Sequence, residues 1–285
     1  MIPASFEYFA PTSVNEALAL LKEHGDDAKI LAGGHSLIPT MKLRLAEPAV
    51  VIDIQRINAL KKISESDGKL IIGALATHYD LESSDLVQGK VPIVSQTAAA
   101  IGDVQVRNKG TIGGSLVHAD PAADWPATIL ALDADIQIAG PNGERTVKAT
   151  NFFEGLFTTV VGPEEIVTQI HVPIQNANTK GAYLKLYQVA SGFALTGVAA
   201  ILTKSGDTCQ NISVGITGVS DVAYRATGVE AELTGKSLTA ENIAAAAEKA
   251  VDGVADILDD IHANAAYRAN LAKVYTRRAI ERVAS

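Results

Sequence analysis

Two short glycine-pair motifs constrain this chain more than any other feature of its sequence. The first is Ala32-Gly-Gly-His-Ser36 and the second is Thr111-Ile-Gly-Gly-Ser115. Glycine reaches φ > 0 without a side-chain clash, so backbone N–H groups in such turns can approach a ligand closely. Successive N–H groups also form a concavity that suits phosphate oxygens. Because each motif lies between an apolar run and a plausible helix start, the pair predicts one diphosphate held between two loops.

Neither motif fits the glycine patterns of the common nucleotide-binding folds. The spacing differs from the dinucleotide fingerprint G-x-G-x-x-G, and no lysine follows as in the Walker pattern. The usual Rossmann site and P-loop phosphoryl transfer are therefore excluded. The alternative interpretation of each motif is a tight bend in which Ser36 and Ser115 cap the helices that follow.

Composition excludes several classes of protein and of site. The formal net charge of −8 over 285 residues offers no basic face for nucleic acid. Cys209 is the only cysteine, so no intrachain disulfide is possible, and no iron–sulfur cluster or structural zinc site can be built on it alone. The first residues lack the basic start and the apolar segment that are typical of a signal peptide. No apolar run approaches the roughly 18 residues that a membrane-spanning helix needs. We expect a cytoplasmic protein.

Local patterns divide the chain into three units, which we place at residues 1–56, 57–176 and 177–285. In the first, Ser13 and Glu16 predict a helix start, an apolar stripe follows, and the glycine at 25 ends the helix. A short strand then enters the first glycine motif, a short helix runs from it to about residue 43, and residues 50–54 form a buried strand. The first unit is thus a small α/β subdomain.

The second and third units have mixed patterns. Asp67-Gly68 predicts a hairpin between apolar runs, residues 92–100 predict a helix, and alternating segments near residues 134–147 and 165–172 predict a mostly antiparallel sheet. After residue 177, three predicted strands precede three predicted helices. The chain therefore belongs to the α+β class.

Polar side chains near the motifs are open to more than one interpretation. His35 has no second histidine or carboxylate at ligand spacing, so a metal role is not expected. His118 and Asp120 could form an acid–base pair or make ordinary loop hydrogen bonds. Asp124 could cap a helix or accept hydrogen bonds from ribose or ribityl hydroxyls of a cofactor. No nucleophile elbow or Ser/His/Asp triad is present.

The sequence resembles a known family, the FAD-binding medium subunits of molybdenum hydroxylases, with most likeness to those of the aerobic carbon monoxide dehydrogenase type. The likeness covers essentially the whole chain. It rests on both glycine motifs in this order and spacing, and on several flanking segments. These are Met1-Ile-Pro3, Leu31 to Pro39, Met41-Lys42, Val106 to Ser115, Asp120-Pro-Ala-Ala-Asp124 with Pro126, and Phe152-Phe-Glu-Gly155.

The resemblance implies an FAD-binding fold of the vanillyl-alcohol oxidase type. Two N-terminal α/β subdomains would hold FAD between them, and a C-terminal domain with a three-stranded antiparallel sheet and helices would cover one side. The two motifs would hold the pyrophosphate, Asp124 would bind cofactor hydroxyls, and Phe193 would stack near the isoalloxazine ring. The full set of implied cofactor-binding residues is Ala32, Gly33, Gly34, His35, Ser36, Leu37, Ile101, Thr111, Ile112, Gly113, Gly114, Ser115, Asp120, Asp124, Val161, Lys185 and Phe193.

The resemblance also implies partner chains. Such enzymes need [2Fe–2S] clusters and a molybdenum cofactor, which a chain with one cysteine cannot supply. A small iron–sulfur subunit and a large molybdenum subunit would carry them, in a dimer of heterotrimers. The large subunit would oxidise the substrate, and electrons would pass through the clusters to FAD here and then to an external acceptor. No residue of this chain is expected to be catalytic or to bind a metal.

Two departures from the carbon monoxide dehydrogenases concern the cofactor contact and the substrate. Those enzymes typically have Gly-Asp-Tyr where this chain has Ser191-Gly-Phe193, and Gly-Asp-Pro-Gly-Asn-Asp where it has Ala119-Asp-Pro-Ala-Ala-Asp124. The first departure keeps an aromatic ring but loses any role of the tyrosine hydroxyl, and the second favours aldehydes or N-heterocycles over carbon monoxide. Two rival hypotheses remain: a self-contained flavin oxidase of the same fold group, and a non-enzymatic assembly subunit with an empty pocket.

Overall fold

Three hydrophobic clusters organise the molecule, and the computed structural model describes all residues from Met1 to Ser285. The clusters do not follow the predicted unit boundaries. Leu75 and Ile166 of the second unit pack in the N-terminal cluster, and Tyr183 and Ile201 of the third unit pack in the central one. The boundaries near residues 56 and 176 therefore stay a prediction.

The N-terminal unit is a small parallel sheet with two helices, in the strand order β1-β3-β2. Its first helix begins as predicted, because Ser13 Oγ accepts from Glu16 N at 3.2 Å, and it ends at Gly25 with φ 54°. The strands are β1 (Glu7–Phe9), β2 (Ala28–Leu31) and β3 (Val50–Asp53), and the helices are α1 (Val14–His24) and α2 (Leu37–Lys42). The first glycine motif connects β2 to α2.

A five-stranded antiparallel sheet forms the framework of the central unit. The predicted hairpin is confirmed, with Asp67 and Gly68 both at positive φ. The apolar run before the turn, Leu60 to Ile63, is strand only from Ile63 onwards, because Asn58–Lys61 forms a short 3₁₀ helix. The sheet order is β4-β5-β10-β6-β7, with β4 (Ile63–Ser66), β5 (Lys69–Gly73), β6 (Asp135–Gly140), β7 (Gly143–Lys148) and β10 (Ile166–Pro173), while β8 (Phe153–Gly155) and β9 (Thr158–Thr159) make a small separate hairpin.

Six helices lie between the strands of the central unit. They are α3 (His78–Ser83), α4 (Asp85–Lys90), α5 (Pro92–Ala100), α6 (Val104–Arg107), α7 (Ile112–His118) and α8 (Asp124–Ala131). Every residue of α8 is buried. At Gly215, an added Cβ would lie 2.0 Å from Ala127 O, so α8 packs directly on the backbone of the C-terminal sheet.

The C-terminal unit has one more strand than predicted. Tyr224–Arg225 pairs with the end of the third strand, which makes a four-stranded antiparallel sheet; two residues are too few to give a sequence pattern. The strands are β11 (Thr179–Tyr187), β12 (Ala194–Ser205), β13 (Thr208–Thr217) and β14 (Tyr224–Arg225), followed by α9 (Thr227–Leu233), α10 (Ala240–Ala247) and α11 (Ala265–Ala284). None of the helices has both the length and the apolar character that a membrane crossing requires.

Candidate functional site

One large cavity, of about 750 Å³, lies where the three units meet. Every residue implied as a cofactor contact lines it, except Ile112 and Lys185. Ile112 is buried in the central hydrophobic cluster. Lys185 does not line the cavity, and its Nζ forms an ion pair with Asp124, which does. The lining residues that were expected are Ala32, Gly33, Gly34, His35, Ser36, Leu37, Ile101, Thr111, Gly113, Gly114, Ser115, Asp120, Asp124, Val161 and Phe193.

The first glycine motif has a run of free backbone donors. The N–H groups of residues 33, 34, 35 and 36 donate to no acceptor in the protein. Gly34 makes this conformation accessible, since its φ is +77°. Residues 33, 34 and 36 are half-buried and His35 is exposed, so these N–H groups are open to solvent or to a ligand in the cavity. A run of unpaired N–H groups is what a phosphate-binding concavity requires, and the binding role of these residues stays a prediction. Ser36 precedes α2, but its side chain makes no capping hydrogen bond.

The second motif differs from the prediction, because it is the first turn of α7 and not an open turn. Thr111 caps this helix, while Ser115 lies inside it, so the interpretation of Ser115 as a cap is wrong. The N–H groups of residues 112 to 115 donate, in that order, to Ala76 O at 3.1 Å, Ala74 O at 2.9 Å, Thr111 Oγ1 at 3.2 Å and Thr111 O at 3.0 Å. These amides are therefore already engaged within the protein.

Glycines bring the two motifs into contact. A Cβ on Gly33 would lie 2.2 Å from Lys109 O, and a Cβ on Gly114 would lie 3.6 Å from the Cβ of Ala32. On the other side of α7, a Cβ on Gly113 would lie 2.7 Å from Ala74 O. The glycines of the second motif thus serve close backbone packing, which holds α7 against the free amides of the first motif.

Asp124 lies at the base of the cavity in a buried network. It is the first residue of α8 and Ala123 is the cap, so the structure does not support the helix-cap interpretation. Tyr183 donates to Asp124 Oδ1 at 2.5 Å, and Lys185 Nζ lies 2.9 Å from the same oxygen. Burial raises the pKa of the Asp124 carboxyl, an effect that the Lys185 charge opposes. Burial, together with the neighbouring carboxylate, also raises the pKa of Tyr183 well above its ordinary value.

Lys185 also fixes the hairpin that carries Phe193. Its Nζ donates to Gly192 O at 2.7 Å, and the Phe193 side chain, 42% exposed, lines the cavity. A Cβ on Gly192 would lie 3.2 Å from the Cα of Gly102. The loop after Ile101, which is also an implied contact residue, therefore meets the Phe193 hairpin at the cavity wall.

The remaining polar candidates make local contacts. Asp120 Oδ1 accepts from Ala122 N at 2.8 Å, and His35 Nε2 lies 3.2 Å from Gln105 O. The His118 ring packs on Phe157, with ring centroids 5.2 Å apart. No hydrogen bond joins His118 to Asp120, so the structure does not contain the acid–base pair considered above.

Two known families match this chain, one after the other along the sequence. Residues 4–175 match the family described as the FAD binding domain in molybdopterin dehydrogenase. Residues 182–283 match the carbon monoxide dehydrogenase flavoprotein C-terminal domain.

The chain belongs to this FAD-binding flavoprotein family. It is 42% identical over 280 residues to the carbon monoxide dehydrogenase medium chain of Hydrogenophaga pseudoflava, with 98% of this chain and 97% of the relative covered. It is 39% identical over 284 residues to the glyceraldehyde dehydrogenase medium chain of Sulfolobus acidocaldarius, with both chains covered completely.

Solved structures confirm the α+β FAD-binding fold expected for the family. A carbon monoxide dehydrogenase from Hydrogenophaga pseudoflava superposes with a TM-score of 0.96 at 43% identity, covering 99% of this chain and 98% of that one. Quinoline 2-oxidoreductase from Pseudomonas putida gives a TM-score of 0.93 at 33% identity, covering 100% and 98%.

The flavoprotein cavity is poor in cations. Lys29 is the only lysine or arginine that lines it, whereas Asp120, Asp124 and Glu165 contribute carboxylates. A diphosphate in this cavity would therefore meet amide dipoles more than side-chain charges. No group of three or more metal-ligating side chains lies together in the structure.

One cavity residue, His78, was missed by the sequence analysis. It is only 4% exposed, and its Nδ1 accepts from Trp125 Nε1 at 3.1 Å. Burial lowers the pKa of His78 to about 4. The nearby Thr77 capping box with Asp80 is visible in the sequence and could have placed His78 at a helix start, but no local pattern points to the contact with Trp125.

Proposed function

We propose that this chain is the FAD-carrying medium subunit of a heterotrimeric molybdenum hydroxylase, and that its cavity holds the cofactor. The four consecutive free amides at residues 33 to 36 are the observation that supports this most directly. They lie in a cavity of about 750 Å³, which is within the range of roughly 300–1,000 Å³ usual for ligand sites.

The residues present fit a flavin dinucleotide. Residues 33 to 36 would bind the diphosphate through backbone N–H groups, and the Thr111 and Ser115 hydroxyls, at the cavity wall, would add donors. Asp124 keeps acceptor capacity beyond its bonds to Tyr183 and Lys185, since a carboxylate offers about four lone-pair sites. It would accept from hydroxyls of the cofactor.

This chain's contribution is to bind and orient. Bound FAD supplies a group that can exchange electrons singly or in pairs. The Ile101 loop and the Phe193 hairpin wall the cavity, and Lys185 holds the hairpin through Gly192 O at 2.7 Å. No side chain is assigned to proton transfer.

Partner chains follow from the names of the relatives and from the cysteine content. The relatives are named as medium chains or as subunits of dehydrogenase complexes. Since this chain has one cysteine, [2Fe–2S] clusters would belong to a small subunit and the molybdenum cofactor to a large one. A dimer of these heterotrimers and a cytoplasmic location stay predictions.

The substrate would be bound in the large subunit. Relatives of this chain are named for carbon monoxide, glyceraldehyde, nicotine and caffeine. We propose an aldehyde or an N-heterocycle, because this chain departs from the carbon monoxide dehydrogenase pattern at Ala119 to Asp124.

The test is purification of the chain with its natural neighbours, followed by analysis of metals and flavin. We expect two further subunits, molybdenum, iron, and FAD that is released when the protein is denatured. A lone chain that keeps its flavin after denaturation would instead support the self-contained oxidase. A complex that binds no flavin even after FAD is added would support the assembly subunit.

A further inference from the structure

The buried pair of His78 and Trp125 points a single donor towards the cavity. His78 is 4% exposed and Trp125 is fully buried. The indole N–H of Trp125 donates to His78 Nδ1 at 3.1 Å. A neutral imidazole has one donor and one acceptor nitrogen, so with Nδ1 as the acceptor the proton lies on Nε2.

Nothing in the protein accepts from this Nε2–H group. His78 lines the cavity, and its only side-chain hydrogen bond is the one from Trp125. The buried unpaired side-chain atoms of the protein are His24 Nε2, Gln175 Nε2 and Thr276 Oγ1, and His78 Nε2 is not among them. The Nε2–H group is therefore accessible from the cavity, where it can donate to an acceptor on a ligand.

His78 and the first glycine motif both pack closely against Gly110. A Cβ on Gly110 would meet His78 Nε2 at 2.7 Å, and a Cβ on Gly33 would meet the Cα of Gly110 at 2.8 Å. Gly110 thus lies next to both His78 and Gly33, and both residues line the same cavity. The two glycines are required here, because larger residues would separate the imidazole from residues 33 to 36.

We propose that His78 is a cofactor-binding residue whose Nε2–H donates to a phosphate oxygen of the bound dinucleotide. The inference rests on the proposed function of this cavity. In the ligand-free protein the pKa of His78 is lowered to about 4, so at neutral pH the group offered to a ligand is an N–H dipole of fixed direction and not a positive charge. Trp125 fixes that direction by fixing the tautomer.

Two variants separate the roles of the ring nitrogens. In His78→Asn the side-chain oxygen can still accept from Trp125, but the donor at the Nε2 position is lost. In His78→Gln an N–H donor is retained near the Nε2 position, while the Nδ1 acceptor is lost. Both are tested in the flavin-stripped complex of the full-length chain, with FAD, ADP and riboflavin as probes.

We expect His78→Asn to weaken FAD and ADP binding by about tenfold to a hundredfold, as for a hydrogen bond to a charged group. His78→Gln should lose less than about threefold by the same reasoning, and riboflavin, which lacks phosphate, should bind equally to all forms. In ¹⁵N-histidine NMR of the full-length wild-type chain, ADP should shift the Nε2 resonance of His78. This readout does not depend on a variant that folds.

Several results would overturn the inference alone. These are FAD binding by His78→Asn equal to that of the wild type, an equal loss in both variants, or an Nε2 resonance unmoved by ADP at saturation. A wild-type complex that binds neither FAD nor ADP would overturn the proposed function as well.

Discussion

The hydroxyl of Tyr183 donates to Asp124 Oδ1 at 2.5 Å, and this contact joins β11 of the C-terminal sheet to the first residue of α8. Lys185, two residues further along β11, binds the same carboxylate. Both partners extend towards α8 from one strand. The C-terminal unit therefore completes the wall of the cofactor cavity through a charge buried at the junction.

Replacing Lys185 by methionine should destabilise the protein strongly. The substitution leaves the buried Asp124 carboxylate without its cation, and breaking one half of a buried pair costs about 3–5 kcal/mol. Urea unfolding of the flavin-free chain measures the loss. The matched control is Lys148→Met, whose ion pair with Asp135 is more exposed and worth about 1 kcal/mol or less. Equal losses in the two variants would contradict the assignment.

Replacing Gly33 by alanine should weaken FAD binding. Its Cβ would lie 2.2 Å from Lys109 O, so the first motif must move away from the second, and the free amides move with it. A fluorescence titration with FAD measures the affinity, and we expect a loss of at least about tenfold, equal to 1.4 kcal/mol. Gly89→Ala is the control, because nothing lies within 4 Å of its Cβ. FAD affinity of Gly33→Ala within twofold of the control would refute this prediction.

Stability should depend on pH through His78. The pKa of His78 is lowered from 6.5 to about 4 in the folded protein, so between these values the unfolded chain binds a proton that the folded chain does not. Stability is fully present above about pH 6.5 and is lost as the pH falls towards 4, by at most about 3 kcal/mol.

Urea unfolding across that pH range, compared between the wild type and His78→Asn, measures this contribution. The variant should show the flatter dependence of unfolding free energy on pH. Parallel curves would mean that another group causes the acid sensitivity.

Replacing Gly215 by alanine should loosen the C-terminal sheet from α8. The added Cβ would lie 2.0 Å from Ala127 O, and overpacking of this kind typically costs about 1–3 kcal/mol. Gly155→Ala provides a control, with no atom within 4 Å of its Cβ. Thermal unfolding should show a lower midpoint temperature for Gly215→Ala and an unchanged one for Gly155→Ala. Equal midpoints in the two variants would mean that the sheet and α8 can move apart slightly without a loss of stability.

Local sequence patterns predicted those elements whose stabilising contacts are themselves local. Ser13 caps α1 through a residue three positions away, and Asp67 with Gly68 makes the hairpin turn. The helix at the second motif was not predicted, because Gly113 and Gly114 are poor helix formers. It forms through the Thr111 cap and the close contact of Gly113 with Ala74.

The interior of the site could not be predicted from spacing. His78 and Trp125 are 47 residues apart, and Asp124 and Tyr183 are 59 apart, so no periodic pattern relates them. The family resemblance implied that Asp124 and Lys185 contact the cofactor. It did not indicate that the two side chains bind each other, which depends on how β11 packs on α8.

The free amides of residues 33 to 36 belong to the main chain, and this has a consequence for how the site can vary. Exchanging the side chain of His35 or Ser36 leaves the donors in place, so those positions are free to diverge while recognition persists. The donors disappear only when the local path of the backbone changes. If these amides bind the cofactor as proposed, selection on affinity should act here on the backbone conformation, which requires glycine at positions 33 and 34 and leaves the side chains of His35 and Ser36 free to change.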